Sequence, residues 1–213
     1  MNPLVTLSAD ERRDMARLVQ LVARLWLREV DEPLDEALRT SGWLDQLRRT
    51  LPIPEEDRTD RSGPSSLRDL AVDYCRLFVG PTGHLPPIES VWVAGQLEAD
   101  ATASMKTWCE LAGYERPESA RDVFLDHLGV QLDLLHHVLS QDAWWESHPD
   151  DMAAFTLDYA TAHLAWPTEL LDAVEARAET DLYRLLPHLT RQLIGELIGP
   201  RIARQTGSVD ETP

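Results

Sequence analysis

The residues whose types and spacing could do chemistry gather between positions 126 and 137: Asp126, His127, Asp133, His136 and His137. Asp133 and His137 are four apart, so a helix carries them on one face. Such a pair could hold a metal ion or act as acid and base. The patterns that commit these residue types to catalysis are missing from the chain. It has no H-E-x-x-H, and no Glu-x-x-His repeated on two helices as a di-iron bundle needs. A solvated helix face accounts for His136 and His137 equally well. A local hydrogen bond or a helix cap accounts for Asp126-His127. The chain also lacks G-x-x-x-x-G-K-[ST], and Gly80, Gly83 and Gly95 do not make a loop that cradles phosphate. A small helical metal- or ligand-binding enzyme working on this face is one reading.

A second constellation points to binding. From Asp73 to Trp92 the sequence runs DYCRLFVGPTGHLPPIESVW. Tyr74, Leu77 and Phe78 form one helical stripe at i, i+3, i+4. Gly80-Pro81 stops the helix, because glycine is the usual residue past a helix end and proline cannot continue one. A stiff loop with Gly83 and Pro86-Pro87 follows and ends in Glu89, Ser90, Val91 and Trp92. The loop is the wrong composition for a core element and too apolar for an idle linker. It suits a pre-formed docking surface. Core packing explains the Tyr74/Leu77/Phe78 stripe too, and burial competes with a groove-rim position for Trp92. Trp144 and Trp145, adjacent in an expected loop at 142–149, are a second candidate contact patch. Trp166, just before Pro167, reads as a helix-corner anchor.

The elements that must position these residues are helical. Ser8 opens a helix with Glu11 three residues on as a capping box. Met15, Leu18, Val19, Val22, Leu25 and Trp26 then mark its apolar face. Pro33 opens a second helix, which Gly42 interrupts before Trp43. Residues 52–66 are polar, charged and aperiodic, the clearest loop of the chain. Ser66 caps a helix reaching Val79. Further helices are predicted at about 94–111, ended by Gly113, and at about 118–141, with Asp126-His127 inside the latter. The last third holds three helices broken at Pro167 and near Thr180. The tail 201–213 is expected to be disordered. No stretch alternates with period two, so the fold class is all-α. The length suits one helical domain, or two small lobes sharing a core.

Composition narrows the partners. A net charge of −17 argues against nucleic acid, whose phosphates need a basic face, and favours a cationic partner or plain solubility. Lys106 is the only lysine. No apolar run approaches the roughly 20 residues that span a bilayer, so no stable membrane insertion is expected. The first residues lack the basic region and apolar core of a signal peptide, which suggests a cytoplasmic protein. Cys75 and Cys109, the only two cysteines, are not a C-x-x-C pair and read as reduced thiols.

Three stretches carry a resemblance. Tyr74-x-x-Leu77-Phe78-x-Gly80-Pro81, followed by Pro86-Pro87-x-Glu89-Ser90-Val91-Trp92, resembles the TorD/DmsD/NarJ-type redox-enzyme maturation chaperones. Asp126-His127 is similar to that family's Asp-His motif, and His163-Leu164-Ala165-Trp166-Pro167 to its His-Leu-x-x-Trp-x-Pro segment. Leu125 stands where the family often has proline, and Gln131 where relatives commonly have an acidic residue. The resemblance implies a single bundle-like helical domain over 1–200 that catalyses nothing and needs no cofactor. Its implied partner is the catalytic subunit of a molybdenum- or tungsten-cofactor oxidoreductase, held in its apo form, together with a twin-arginine signal peptide. The implied peptide site comprises Tyr74, Leu77, Phe78, Gly80, Pro81, Pro86, Pro87, Glu89, Ser90, Val91, Trp92, Asp126 and His127, with paired arginines meeting Glu89 and Asp126. Some TorD-like proteins bind guanine nucleotide weakly, but no residue here is specific for it. A monomer is expected, with a dimer exchanging helices about 52–66 or 142–149 beside it.

Overall fold

The computed structural model describes residues 3–50 and 65–206. Among the described residues the secondary structure is helical. The one β feature is an isolated antiparallel bridge between Ile88 and His127. The all-α reading holds. The chain divides into two compact units. The first comprises residues 1–27, 87–168 and 191–213, and the second 28–86 and 169–190. The loop expected at 52–66 lies, up to residue 64, outside the described residues.

The first unit is built on two helices, α1 (Ala9–Leu27) and α7 (Leu128–Leu139). Ser8 caps α1 as its sequence predicts: Ser8 Oγ accepts from Glu11 N, and Ser8 N donates to Glu11 Oε2. Val19, Val22, Leu25 and Trp26 are fully buried along α1. α7 is apolar nearly all round, the signature of a helix enclosed by its neighbours. The two helices approach closely at Gly129. A Cβ there would lie 2.5 Å from Leu27 Cγ and 3.1 Å from the Ala23 carbonyl oxygen. Arg12, itself buried, ties three elements together. It donates to the Leu139 carbonyl at the end of α7 and to Asp142 Oδ1 (2.5 Å) at the start of α8 (Asp142–Ser147), and lies over the Trp145 ring at 5.3 Å. The remaining helices of this unit are α5 (Glu89–Ala94), α6 (Asp100–Ala112) and α9 (Pro149–His163).

The second unit holds α2 (Glu32–Thr40), α3 (Trp43–Thr50), α4 (Leu67–Tyr74) and α10 (Thr168–Arg177) from its second residue. It also holds the first residues of α11 (Asp181–Thr206). Pro33 sits in the first turn of α2 as predicted, with Asp31 as N-cap, and Gly42 takes a left-handed φ of 64° between α2 and α3. Ser66 and Asp69 form a full capping box on α4. α4 then widens into a π turn over Cys75–Val79, closed by Gly80 N to Cys75 O at 2.7 Å. The breaks expected at Pro167 and Thr180 separate α9, α10 and α11. α11 continues to Thr206; the rest of the expected tail, 207–213, lies outside the described residues.

Three expectations are corrected. The helix expected over 118–141 is a short 3-10 turn, Glu118–Ala120, then a run of turns, with α7 starting only at Leu128. Asp126 and His127 therefore precede the helix. Their side chains take backbone N–H groups as caps, which is how such residues compete with helix continuation. Glu89 to Trp92 is helical, not loop. Its N-cap, Ile88, offers no side-chain acceptor; the donor at Ser90 N is met by Asp126, far away in sequence. Residues 142–147, offered as a loop and hinge, are α8, and Trp145 is buried with Nε1 donating 2.9 Å to the Val138 carbonyl. Trp144 alone of that pair is exposed, at 63%.

Replacing Gly129 with alanine should push α1 away from α7. The expected cost is about 1–3 kcal/mol, the usual range for overpacking a close contact. It should appear as a lower melting temperature with helix content retained. An unchanged melting curve would show that Leu27 yields without cost.

Candidate functional site

Residues from each of the three motifs lie inside the first unit. Glu89, the first residue of α5, is buried, and its Oε2 accepts from two side chains. Gln131 Nε2 on α7 lies at 2.6 Å and His163 Nδ1 at the end of α9 at 2.8 Å. The network extends both ways. His163 Nε2 is 2.8 Å from Ser104 Oγ on α6, and Gln131 Oε1 accepts from Trp166 Nε1 at 3.0 Å. The fully buried Tyr159 donates to the Gln131 carbonyl at 2.7 Å. With a carboxylate on one ring nitrogen, Nδ1 of His163 carries a proton and donates to Glu89, while Nε2 pairs with the serine hydroxyl.

The order Ser104–His163–Glu89 is the order of a serine nucleophile, its base and the carboxylate that orients it. Its setting is that of a structural network. The His163 ring is 2% exposed. Ser104 lies within α6, where backbone N–H groups are committed to helix bonds and cannot be aimed at a developing oxyanion. Glu89 is shared with Gln131, so the carboxylate serves the helix junction as much as the imidazole.

Asp126 and His127 sit beside this network as caps. Ser90 N donates 3.0 Å to Asp126 Oδ2, Glu89 N donates 2.9 Å to the Asp126 carbonyl, and Leu128 N donates 2.7 Å to the Pro87 carbonyl. Gly129 N donates 3.0 Å to His127 Nδ1. That bond fixes the tautomer with the proton on Nε2. Burial pushes the His127 pKa down to about 4, against a smaller opposing pull from Asp126.

Placement of the sequence-predicted residues follows. Pro87, Glu89, Ser90, Asp126 and His127 are buried in the first unit, and Val91 and Trp92 are half-buried on α5. Glu89 and Asp126, offered to paired arginines, face inward onto protein donors. In the second unit Tyr74, Leu77 and Phe78 are buried. Tyr74 and Phe78 pack edge-on at 5.1 Å, and both meet Tyr183, at 5.9 and 6.0 Å. Gly80 and Pro86 are half-buried and Pro81 is exposed. Trp166 serves as an anchor, half-buried and tied to Gln131. Sequence reasoning missed Gln131, Tyr159 and Ser104 as network members. Tyr159 was within reach, because it lies four residues before His163 on the same helix face. Ser104 has no local signal.

The histidine face of α7 borders a broad cleft of about 690 Å³ that is also lined by Arg17, Arg24 and Tyr114. Asp133 Oδ2 accepts from the Tyr114 hydroxyl at 2.5 Å. His136 and His137 are engaged with the carbonyls of Ala16 and Ala112, at 3.0 and 3.1 Å. Among the described residues no group of three or more His, Cys, Asp or Glu is placed to hold a metal ion. Cys75 is exposed, and burial pushes the Cys109 thiol up to about 11, which keeps it protonated.

The surface of α5 is the reverse of its interior. Its buried residues are Glu89 and Ser90, both polar, while Val93 is 67% exposed and Leu97, just past its glycine cap, 50% exposed. An ordinary surface helix turns its apolar residues in and its polar residues out.

The model of the nitrate reductase delta subunit family matches residues 29–181, well over half of the chain. The chain belongs to this family. These are the TorD/NarJ-like redox-enzyme maturation chaperones that the motifs resemble. A curated protein of Escherichia coli (strain K12), named chaperone protein YcdY, is 27% identical over 183 residues, covering 84% of this chain and 91% of that protein. Glu89, Asp126, His127 and His163 are buried and Trp166 half-buried, so these motif residues of this family member point inward. Among the described residues no helix is long and apolar enough to cross a membrane.

The buried His127 makes stability depend on pH. In the unfolded chain its pKa is near 6.5, while the folded value is about 4. Between these values the unfolded state binds more protons, so stability rises with pH across that window. Its contribution is complete above about 6.5 and lost as pH falls through the folded value. His127→Gln should flatten the fall in melting temperature between pH 6.5 and 4. Equal pH slopes for variant and parent would show that His127 does not carry this linkage.

Proposed function

We propose that this chain is a cytoplasmic, system-specific chaperone for the catalytic subunit of a molybdenum- or tungsten-cofactor oxidoreductase. It holds the apo subunit for cofactor insertion and covers a twin-arginine signal peptide before export. Membership of the maturation-chaperone family supports the class, and YcdY is named a chaperone. The observation that carries the peptide reading is the inverted polarity of α5. Val93 and Leu97, beside the half-buried Trp92, offer an apolar face to solvent while polar residues hold the helix from inside. In the second unit the exposed stretch Pro81–His84 is a further surface in the same reading. The buried motif residues shape these surfaces and do not touch the client.

The client chemistry suits such a surface. A signal of this kind combines two arginines with a moderately apolar stretch. Burying ~400 Å² of apolar surface gives on the order of 10 kcal/mol gross, and ordering a flexible peptide removes several of those. Binding near micromolar, about −8 kcal/mol, is the outcome. The net charge of −17 steers the arginine pair, and exposed ion pairs add only ~0–1 kcal/mol each.

A synthetic peptide with two arginines and an apolar stretch is the probe. Trp92→Ala combined with Val93→Ser should weaken its binding roughly tenfold, about 1.4 kcal/mol, with helix content intact by circular dichroism. Raising salt to about 0.5 M should slow association far more than it speeds release. Unchanged affinity in calorimetry for the double variant would remove α5 from the peptide site. A salt-independent association rate would leave the acidic composition as a solubility trait.

A further inference from the structure

The only buried residues of α5 are Glu89 and Ser90. A helix of six residues cannot hold itself together in water, so α5 owes its place to what those two residues touch. No side chain caps it locally. Its first turn is held by polar contacts: Glu89 Oε2 to Gln131 and His163, Glu89 N to the Asp126 carbonyl and Ser90 N to the Asp126 carboxylate. Apolar packing is non-directional and tolerates rotation of a short helix. Hydrogen bonds to a carboxylate are directional and do not. The Glu89 carboxylate therefore constrains the rotation of α5, and with it the direction in which Trp92 and Val93 point.

We propose that His163 is a positioning residue that acts through Glu89: together with Gln131 it latches the first turn of α5 and so fixes the outward face carrying Trp92, Val93 and Leu97. His163 is well built for this. Its Nδ1–H holds Glu89 Oε2, while Ser104 Oγ holds its other nitrogen at 2.8 Å, so the ring cannot turn. Tyr159 flanks it at 5.8 Å between ring centroids. Gln131 is held as firmly, by Trp166 at its side-chain oxygen and by Tyr159 at its backbone carbonyl. The latch thus joins α5 to α6, α7 and α9 by side chains whose own orientations are fixed. That α5 meets a client rests on the function proposed above; that His163 places α5 does not.

Amide hydrogen exchange tests the latch. Val91, Trp92 and Gly95 report on α5 through their bonds to Ile88 and Val91, and the amides of α7 report on the core. In His163→Leu, exchange at the α5 reporters should rise at least tenfold beyond any change shared with α7. Ser104→Ala, a milder variant, should give the same selective pattern at two- to fivefold. Glu89→Met with His163→Leu removes both polar ends. It should recover most of the melting temperature lost by His163→Leu alone, yet leave α5 exchange fast. Acceleration shared equally by α5 and α7, or unchanged α5 exchange in both single variants, overturns the proposal and leaves His163 a general core residue. Titration with the twin-arginine peptide separates the two readings. With α5 selectively loosened, a five- to tenfold weaker Kd supports the client site on α5. An unchanged Kd removes that site and leaves the latch standing.

Discussion

A carboxylate taken out of water must be given donors or lose its charge. In the first unit this constraint falls on Glu89 and organises what surrounds it. Two donors reach one oxygen, each from a different helix, and each donor is held by a further partner. The requirement runs outward in this way until it meets the helix backbones of α6, α7 and α9. Removing one member leaves the rest with an unmet polar group in a low dielectric, which costs more than the bond was worth. The network therefore specifies one arrangement of its helices more sharply than apolar packing alone.

The second unit meets the same constraint with Asp73. Its Oδ2 accepts from Glu179 N at 2.9 Å, Thr180 N at 2.7 Å and Thr180 Oγ1 at 2.8 Å, while Oδ1 takes Arg76 at 2.6 Å. This aspartate on α4 fixes the turn that leads into α11, more than a hundred residues away in sequence. Arg76 in turn donates 2.6 Å to the Arg177 carbonyl at the end of α10. One carboxylate and one guanidinium thus close both sides of the turn between α10 and α11. In both units a buried acid does work that the local sequence lacks: Asp126 caps α5, and Asp73 holds the turn before α11.

That is why some of the fold was legible in the sequence and some was not. Helices with a local start signal stood out: those opened by Ser8 with Glu11, by Pro33 and by Ser66. Stops at Gly42, Gly80 and Gly113 were equally plain. α5 and the start of α7 were missed because their caps come from elsewhere in the chain or from residues that pass for helix interior. Asp126 read as part of an apolar helix, while its actual work, accepting from Ser90, depends on a contact across 36 positions. α8 was missed for a similar reason, since Asp142 is held by Arg12 from α1. Of the candidate site, the motif residues were found but their direction was not. Periodicity cannot tell an acid facing solvent from one facing two donors.

Gln131 shows what the network demands of side-chain type. It must donate to Glu89 and accept from Trp166 at the same time, which an amide does and a carboxylate does not. Its orientation is fixed by both neighbours, because a reversed amide would set oxygen against the Glu89 oxygen and N–H against the indole N–H. An acidic residue here would set two carboxyl groups face to face, and they could stay buried only by sharing a proton. With glutamine, Glu89 is met by a neutral amide and by His163, and no shared proton is required. The outward face of α5 is thereby held without a titrating acid pair beneath it.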